Sequence, residues 1–272
     1  MKLLMDCGLL LWLGGVKLEE GLSVLSRMEF HRYPDEPTPV GGEGAGILYL
    51  RDRNFHLVKV GASSVPSGIL AEKIGDLTIH TPVLLGHVRR ASRDFKASVS
   101  YPWATQPYSC SCLGFKVFSI HNGFIQNYVE LRVENHFYES YQPKVLLNSP
   151  HFIDSEAIPH KCAELVEKYG VERGFEKLFE IIKGNNTWIV LLAKDNFYLG
   201  IFHKGKTRGL HVYEGRNSLI AVTRSEALIP PESLRKIAEI GWKEEAELFL
   251  TYRFRVENSK VVSLMAMDVD VA

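Results

Sequence analysis

Residues 7–13, Cys-Gly-Leu-Leu-Leu-Trp-Leu, form an uninterrupted apolar run that Gly14 and Gly15 bring to a stop. The run has strand length and no polar alternation, which suits a strand buried on both faces. Such a strand needs a packed layer on either side of it. Cys7 stands at its tip.

The rest of the chain supplies those layers. Leu18, Leu22, Leu25 and Met28 recur at helical spacing and precede a loop, 33–44, rich in proline and glycine. Two apolar runs, 46–50 and 55–60, flank Arg51-Asp52-Arg53-Asn54 and read as a hairpin. A short helix is expected near 69–74, then a strand over 82–85 running into Gly86-His87-Val88-Arg89. Further strands are expected at 116–120 and 188–192, the latter paired with 197–202 around Asp195-Asn196.

A helix pair sits in the middle. Ile158, Cys162, Leu165, Val166 and Tyr169 line one face before Gly170, and Val171, Phe175, Leu178 and Ile182 line another before Gly184, each glycine where a helix end favours one. The tail reads as a helix over 231–240 and a hairpin, 248–256 with 261–265, turning at Asn258-Ser259. Strands before and after a helix pair predict one α/β domain over 7–272, with two sheets covered by helices.

Lysine plus arginine number 32 against 32 aspartates and glutamates, so no net field draws the chain to nucleic acid or an anionic membrane, and neither is an expected partner. The four cysteines, Cys7, Cys110, Cys112 and Cys162, are too few and too unevenly spaced for a disulfide framework, which points to a reducing, cytoplasmic setting. Cys110-Ser111-Cys112 is too tight for the usual zinc spacing and has no second Cys/His pair near it in sequence. It reads as loop, and no metal or other cofactor is expected. The leucine-rich start is interrupted by Asp6 and lacks the cleavage pattern of a signal peptide. A soluble protein is expected.

Four separated segments together resemble the class II glutamine amidotransferases, a family of N-terminal-nucleophile hydrolases. They are Cys7-Gly8-Leu9-Leu10, Gly86-His87-Val88-Arg89-Arg90-Ala91-Ser92, His121-Asn122-Gly123-Phe124-Ile125-Gln126-Asn127-Tyr128 and Asp154-Ser155-Glu156. Thr223-Arg224-Ser225-Glu226-Ala227-Leu228 is a softer fifth match, so the resemblance covers roughly 7–230. It implies an αββα sandwich of two mainly antiparallel sheets between helices.

The resemblance also implies a chemistry. The Cys7 thiolate would attack the γ-amide of glutamine or a related γ-glutamyl group, with its own α-amine as base. An α-amine titrates near pH 8, low enough for much of it to be neutral at working pH. Asn122 and the Gly123 N–H would form the oxyanion hole. Arg89 would hold the substrate α-carboxylate with its planar fork, and Asp154 the α-ammonium. Each residue has a plainer reading: Cys7 a buried strand cysteine, Asn122-Gly123 a turn, Arg89 or its neighbour Arg90 a solvated surface charge, Asp154 a helix N-cap. His87 reads as structural.

Two features depart from the family pattern. Met1–Asp6 precede the cysteine, so residues 1–6 are expected to be a propeptide whose Asp6–Cys7 bond the Cys7 thiol cleaves. Nothing in the chain resembles a synthase, isomerase or phosphoribosyl-transferase domain that would take up ammonia. The chain then either supplies an ammonia-accepting partner protein or is a stand-alone hydrolase of small glutamine or γ-glutamyl substrates. A non-catalytic glutamine- or γ-glutamyl-binding regulatory protein with an unprocessed N-terminus is the alternative.

Overall fold

The computed structural model describes residues 7–267 other than 35, 37, 113, 148, 149 and 208. The expected propeptide, 1–6, lies outside the described residues. In chain order the strands are β1 (Gly8–Lys17), β2 (Ala45–Arg51), β3 (Asn54–Val60), β4 (His80–Val88), β5 (Tyr108–Cys112), β6 (Phe115–Gly123), β7 (Asn186–Ala193), β8 (Phe197–Lys206), β9 (Leu210–Gly215), β10 (Ser218–Val222), β11 (Arg235–Ile240), β12 (Glu245–Glu257) and β13 (Lys260–Ala266). The helices are α1 (Leu18–Phe30), α2 (Pro66–Ile74), α3 (Ala157–Tyr169) and α4 (Val171–Ile181).

Among the described residues the strands form two antiparallel sheets, ordered β11-β9-β10-β1-β4-β2-β3 and β13-β12-β8-β7-β6-β5. β1 lies at the centre of the first, between β10 and β4, as its unbroken apolar run requires. Its two faces bury different sets. Leu9, Leu11 and Leu13 meet Ile120, Ile189 and Ile201 of the second sheet, while Leu10 packs outward with Leu22, Leu25 and Met28 of α1. On the far side, Ile158, Cys162, Phe175 and Leu178 of α3 and α4 cover Trp188, Val190 and Phe202. The result is helices, sheet, sheet, helices: the α/β sandwich expected. Each fully buried large apolar side chain in these layers contributes about 1.5–3 kcal/mol.

Two expectations are corrected. Residues 231–240 do not form a helix; Leu234, Ile237 and Ile240 imitate helical spacing, but Arg235–Ile240 is strand β11, paired antiparallel with β9. Closing the open edge of β9 outweighs a short three-residue period. Cys110-Ser111-Cys112 is not loop but the end of β5, with Cys110 opposite Val117 of β6. Strands β9 and β10 were not anticipated at all, although Leu219-Ile220-Ala221-Val222 is a buried apolar run like the one in β1. Among the described residues no helix is long and apolar enough to cross a membrane.

Candidate active site

Strand periodicity brings the site together. Leu9, Leu11 and Leu13 point into the gap between the sheets, so Cys7, two residues before Leu9, falls on the same side. On β6, Phe118 and Ile120 face that gap too, which turns Asn122 into it from the opposite sheet. The two residues meet: the Cys7 backbone N–H donates to Asn122 Oδ1 at 2.9 Å. Stacking the sheets has joined positions 115 residues apart.

The thiol is held from the first sheet. β1 and β4 pair with Gly8 opposite Val88 and Leu9 opposite His87, a register that continues to set Cys7 across from Arg89. The Arg90 backbone N–H donates to Cys7 Sγ at 3.4 Å, and Sγ in turn lies 3.5 Å from the Arg90 carbonyl oxygen. Arg90 is not the solvated charge expected. Its guanidinium donates to Glu43 Oε1 at 3.1 Å, to the Pro39 carbonyl at 2.6 Å and to the Gly41 carbonyl. Glu43 also accepts from the Ala91 N–H at 2.7 Å and from Lys96. Burial pushes its carboxyl up, but Lys96, Ala91 and Arg90 together hold it below the usual range.

Arg89 is buried, and its Nη2 donates to Ser98 Oγ at 2.9 Å. Burial lowers its basicity, while Tyr108, Cys7, Glu43 and Asp154 lie close enough to oppose that loss. A surface role for Arg89 is thereby excluded. Its Nη1, the Asn122 Nδ2 and the Tyr108 hydroxyl are buried with no hydrogen-bond partner among the described residues. Leaving a buried donor unsatisfied costs about 1–3 kcal/mol. Two of these donors, on Asn122 and Arg89, belong to residues that adjoin Cys7, and they suit a ligand that brings carbonyl and carboxylate oxygens.

Asn122-Gly123 is no hairpin turn; it ends β6, with Asn122 opposite Thr187 and Gly123 opposite Asn186. Gly123 has φ +129°, and a Cβ there would lie 2.3 Å from the Asn185 carbonyl oxygen. Glycine is required on both counts. The preceding residue, His121, faces the helices and is tied on every side: Nδ1 to Ser155 Oγ at 2.9 Å, Nε2 to Asn186 Oδ1 at 2.8 Å, and its backbone to the Gln106 side chain. Burial lowers its pKa, with Asp154 and Asn186 pulling the other way. This network fixes the strand end that presents Asn122.

Asp154 is fully buried but does not cap a helix. It opens a short 3-10 turn, Asp154–Glu156, and its Oδ2 accepts the Ile125 N–H at 2.9 Å. The carboxylate therefore anchors the chain just past Gly123, and burial raises its pKa against the pull of His121 and the Ile125 N–H. His87 is buried at the end of β4, its ring against the His121 backbone; burial, then the charge of Arg89, depress its pKa well below the ordinary value. It is neutral, in keeping with a structural role.

Sequence reasoning missed Glu43, Gln106, Tyr108, Ser155 and Asn186. Glu43, Gln106, Tyr108 and Asn186 lie in no recognisable chemical pattern. Ser155 alone carried a signal, as the middle residue of Asp154-Ser155-Glu156. A group of metal-ligating type, Cys110, His136 and His160, lies under α3 on the outer face of the second sheet.

The chain is similar in structure to the crystal structure of a predicted glutamine amidotransferase from Pseudomonas aeruginosa, with a TM-score of 0.44 and 12% identity over 95% of this chain and 99% of that one. No protein-family model and no curated protein matches the chain.

Proposed function

We propose that the chain is a thiol amidohydrolase of the class II glutamine amidotransferase type, acting on the γ-amide of glutamine or a related γ-glutamyl amide. One observation carries the reading. Asn122 joins the two halves of the chemistry, its Oδ1 on the Cys7 nitrogen and its Nδ2 buried without a partner among the described residues.

In this reading the Cys7 thiol attacks the Asp6 carbonyl, the Asp6–Cys7 C–N bond breaks as the nitrogen takes the thiol proton, and hydrolysis of the resulting thioester removes residues 1–6 and leaves the Cys7 α-amine free. That amine then takes the thiol proton as sulfur attacks the substrate amide carbon. Asn122 Nδ2 and the Gly123 N–H stabilise the oxyanion. Collapse expels ammonia, protonated by the Cys7 ammonium, and leaves a γ-glutamyl thioester. Water, deprotonated by the same amine, releases glutamate and restores the thiol. Arg89 receives the α-carboxylate through Nη1 beside the Tyr108 hydroxyl, and Asp154 balances the α-ammonium. The ammonia passes to solvent or to a partner protein.

Ammonia release from glutamine and from γ-glutamyl dipeptides, assayed with a chain beginning at Cys7, tests this. Cys7→Ala should abolish turnover and Cys7→Ser should nearly do so; undiminished activity in Cys7→Ala rejects the reading. While Asp6 remains attached, the nitrogen held by Asn122 is a peptide amide and no base, which favours the second reading: a glutamine-binding regulator. That reading predicts saturable binding, lost in Arg89→Ala, with no ammonia released by any form.

A further inference from the structure

The chain between Gly123, where β6 ends, and Asp154 carries no helix or strand among its described residues. A long connection of this kind in a compact domain needs anchors of its own. Some are visible: Glu156 accepts the Glu139 N–H at 2.6 Å and the Ser140 N–H at 2.8 Å, and Lys59 pairs with Glu139 at 2.6 Å. Between those contacts and the surface, three side chains from three parts of the molecule converge. Cys110 comes from β5, His136 from the long connection and His160 from α3.

Their geometry is that of a ligand set. His136 Nδ1 lies 3.1 Å from His160 Nδ1 and 3.8 Å from Cys110 Sγ, and the three ligand atoms all fall within 4.8 Å of one another. Metal–nitrogen bonds of about 2.0–2.1 Å and a metal–sulfur bond of about 2.3 Å give tetrahedral edges of about 3.3 Å between nitrogens and about 3.6 Å between nitrogen and sulfur. The observed edges are close to these.

The surroundings orient the rings. His160 is buried, its ring stacked on Tyr138 with centroids 4.1 Å apart, and its Nε2 faces Glu156 Oε1 at 3.8 Å. His160 Nε2 makes no hydrogen bond among the described residues, and it is Nδ1 that is turned toward His136 and the cluster. Glu164 and Glu167 follow His160 by four and seven residues, on the same face of α3. Their carboxylates are engaged by Lys161 and by the Cys112 thiol, so the fourth ligand would be water.

We propose that Cys110, His136 and His160 form a binding site for a borderline-soft divalent cation of the zinc type, which ties the 124–153 connection to β5 and α3. The donor set fits: two imidazoles and a thiolate suit zinc and exclude magnesium or calcium. Binding replaces the Cys110 thiol proton, which goes to solvent, so each cation bound releases at least one proton. The site is separate from Cys7, and the proposal stands whether or not the chain is an amidohydrolase.

The test uses the full chain, stripped with a chelator, dialysed and titrated with zinc against a chromophoric competitor. One equivalent should bind. His136→Ala removes a half-exposed ring and leaves the fold intact, and should weaken binding at least about a hundredfold. The thermal midpoint should rise with zinc in the parent chain and not in His136→Ala. With cobalt as the probe, thiolate-to-metal charge-transfer absorption should appear in the parent chain and in Cys112→Ser, and be absent in Cys110→Ser. Failure of the parent chain to take up zinc, leaving a His–His hydrogen bond only, would overturn the proposal. So would equal affinity in His136→Ala, or absorption that survives in Cys110→Ser.

Discussion

The Asn122 side chain bridges the two sheets, its Oδ1 accepting the Cys7 backbone N–H at 2.9 Å while its Nδ2 has no partner among the described residues. In the proposed reading the two ends of one amide have separable duties, one in positioning and one toward a ligand. Asn122→Ala should lower kcat for ammonia release by about a hundredfold to a thousandfold, the usual cost of deleting an oxyanion donor, and should also lower the thermal midpoint. Asn122→Asp keeps the acceptor and removes the donor. It should recover much of the stability and none of the rate, which denaturation and kinetics run in parallel will check.

Gly123 offers a sharper contrast. A methyl group there meets the Asn185 carbonyl at 2.3 Å on a backbone with φ +129°, whereas Gly170, φ +80°, has nothing within 4 Å of its would-be Cβ. Gly170→Ala should cost about 1 kcal/mol and leave activity unchanged. Gly123→Ala should cost about 3 kcal/mol and distort the end of β6. Urea unfolding of both variants measures the difference.

Arg89 is expected to act through the shape of its fork as well as through charge. Arg89→Lys should raise KM for glutamine at least tenfold with a smaller effect on kcat, because an ammonium cannot reach both Ser98 and a substrate carboxylate. Equal losses in kcat and kcat/KM would assign Arg89 to the transition state instead.

His87 and His121 set an acid limit on the fold. Burial depresses both pKa values in the folded chain, His87 strongly. Below about pH 6.5 the unfolded chain takes up protons that the folded chain refuses, so the stability these residues confer is full above that pH and is lost as pH falls toward the folded values. Each contributes a slope of up to about 1.4 kcal/mol per pH unit in that window. Urea midpoints at pH 7.5 and 5.5 should therefore diverge, and His87→Leu should flatten the difference whatever it does to absolute stability.

Much of this arrangement was legible in the sequence wherever one local pattern determined it. The apolar run after Cys7 required a central strand, the first helix of the pair ended at Gly170 as expected while the second stopped at Ile181, short of Gly184, and the hairpin at Asn258-Ser259 turned where expected. What local pattern could not supply was pairing between distant edges. Residues 235–240 became a strand because β9 had an open side, and β5 became one because β6 did. The same holds in the site. Cys7, Arg89 and Asn122 stood in motifs, whereas Glu43 collects Arg90, Ala91 and Lys96 from a glycine-rich loop that has no chemical signature. His136 and His160 are unremarkable in sequence and join Cys110 only when the long connection folds under α3.

Intact mass spectrometry of the protein expressed from Met1, after incubation with a glutamine analogue bearing a diazoketone in place of the amide, tests the central claim most directly. The account predicts a chain that begins at Cys7 and carries one covalent adduct, mapped to Cys7 and absent when excess glutamine is present. A chain that retains Met1–Asp6 and takes up no label would contradict it.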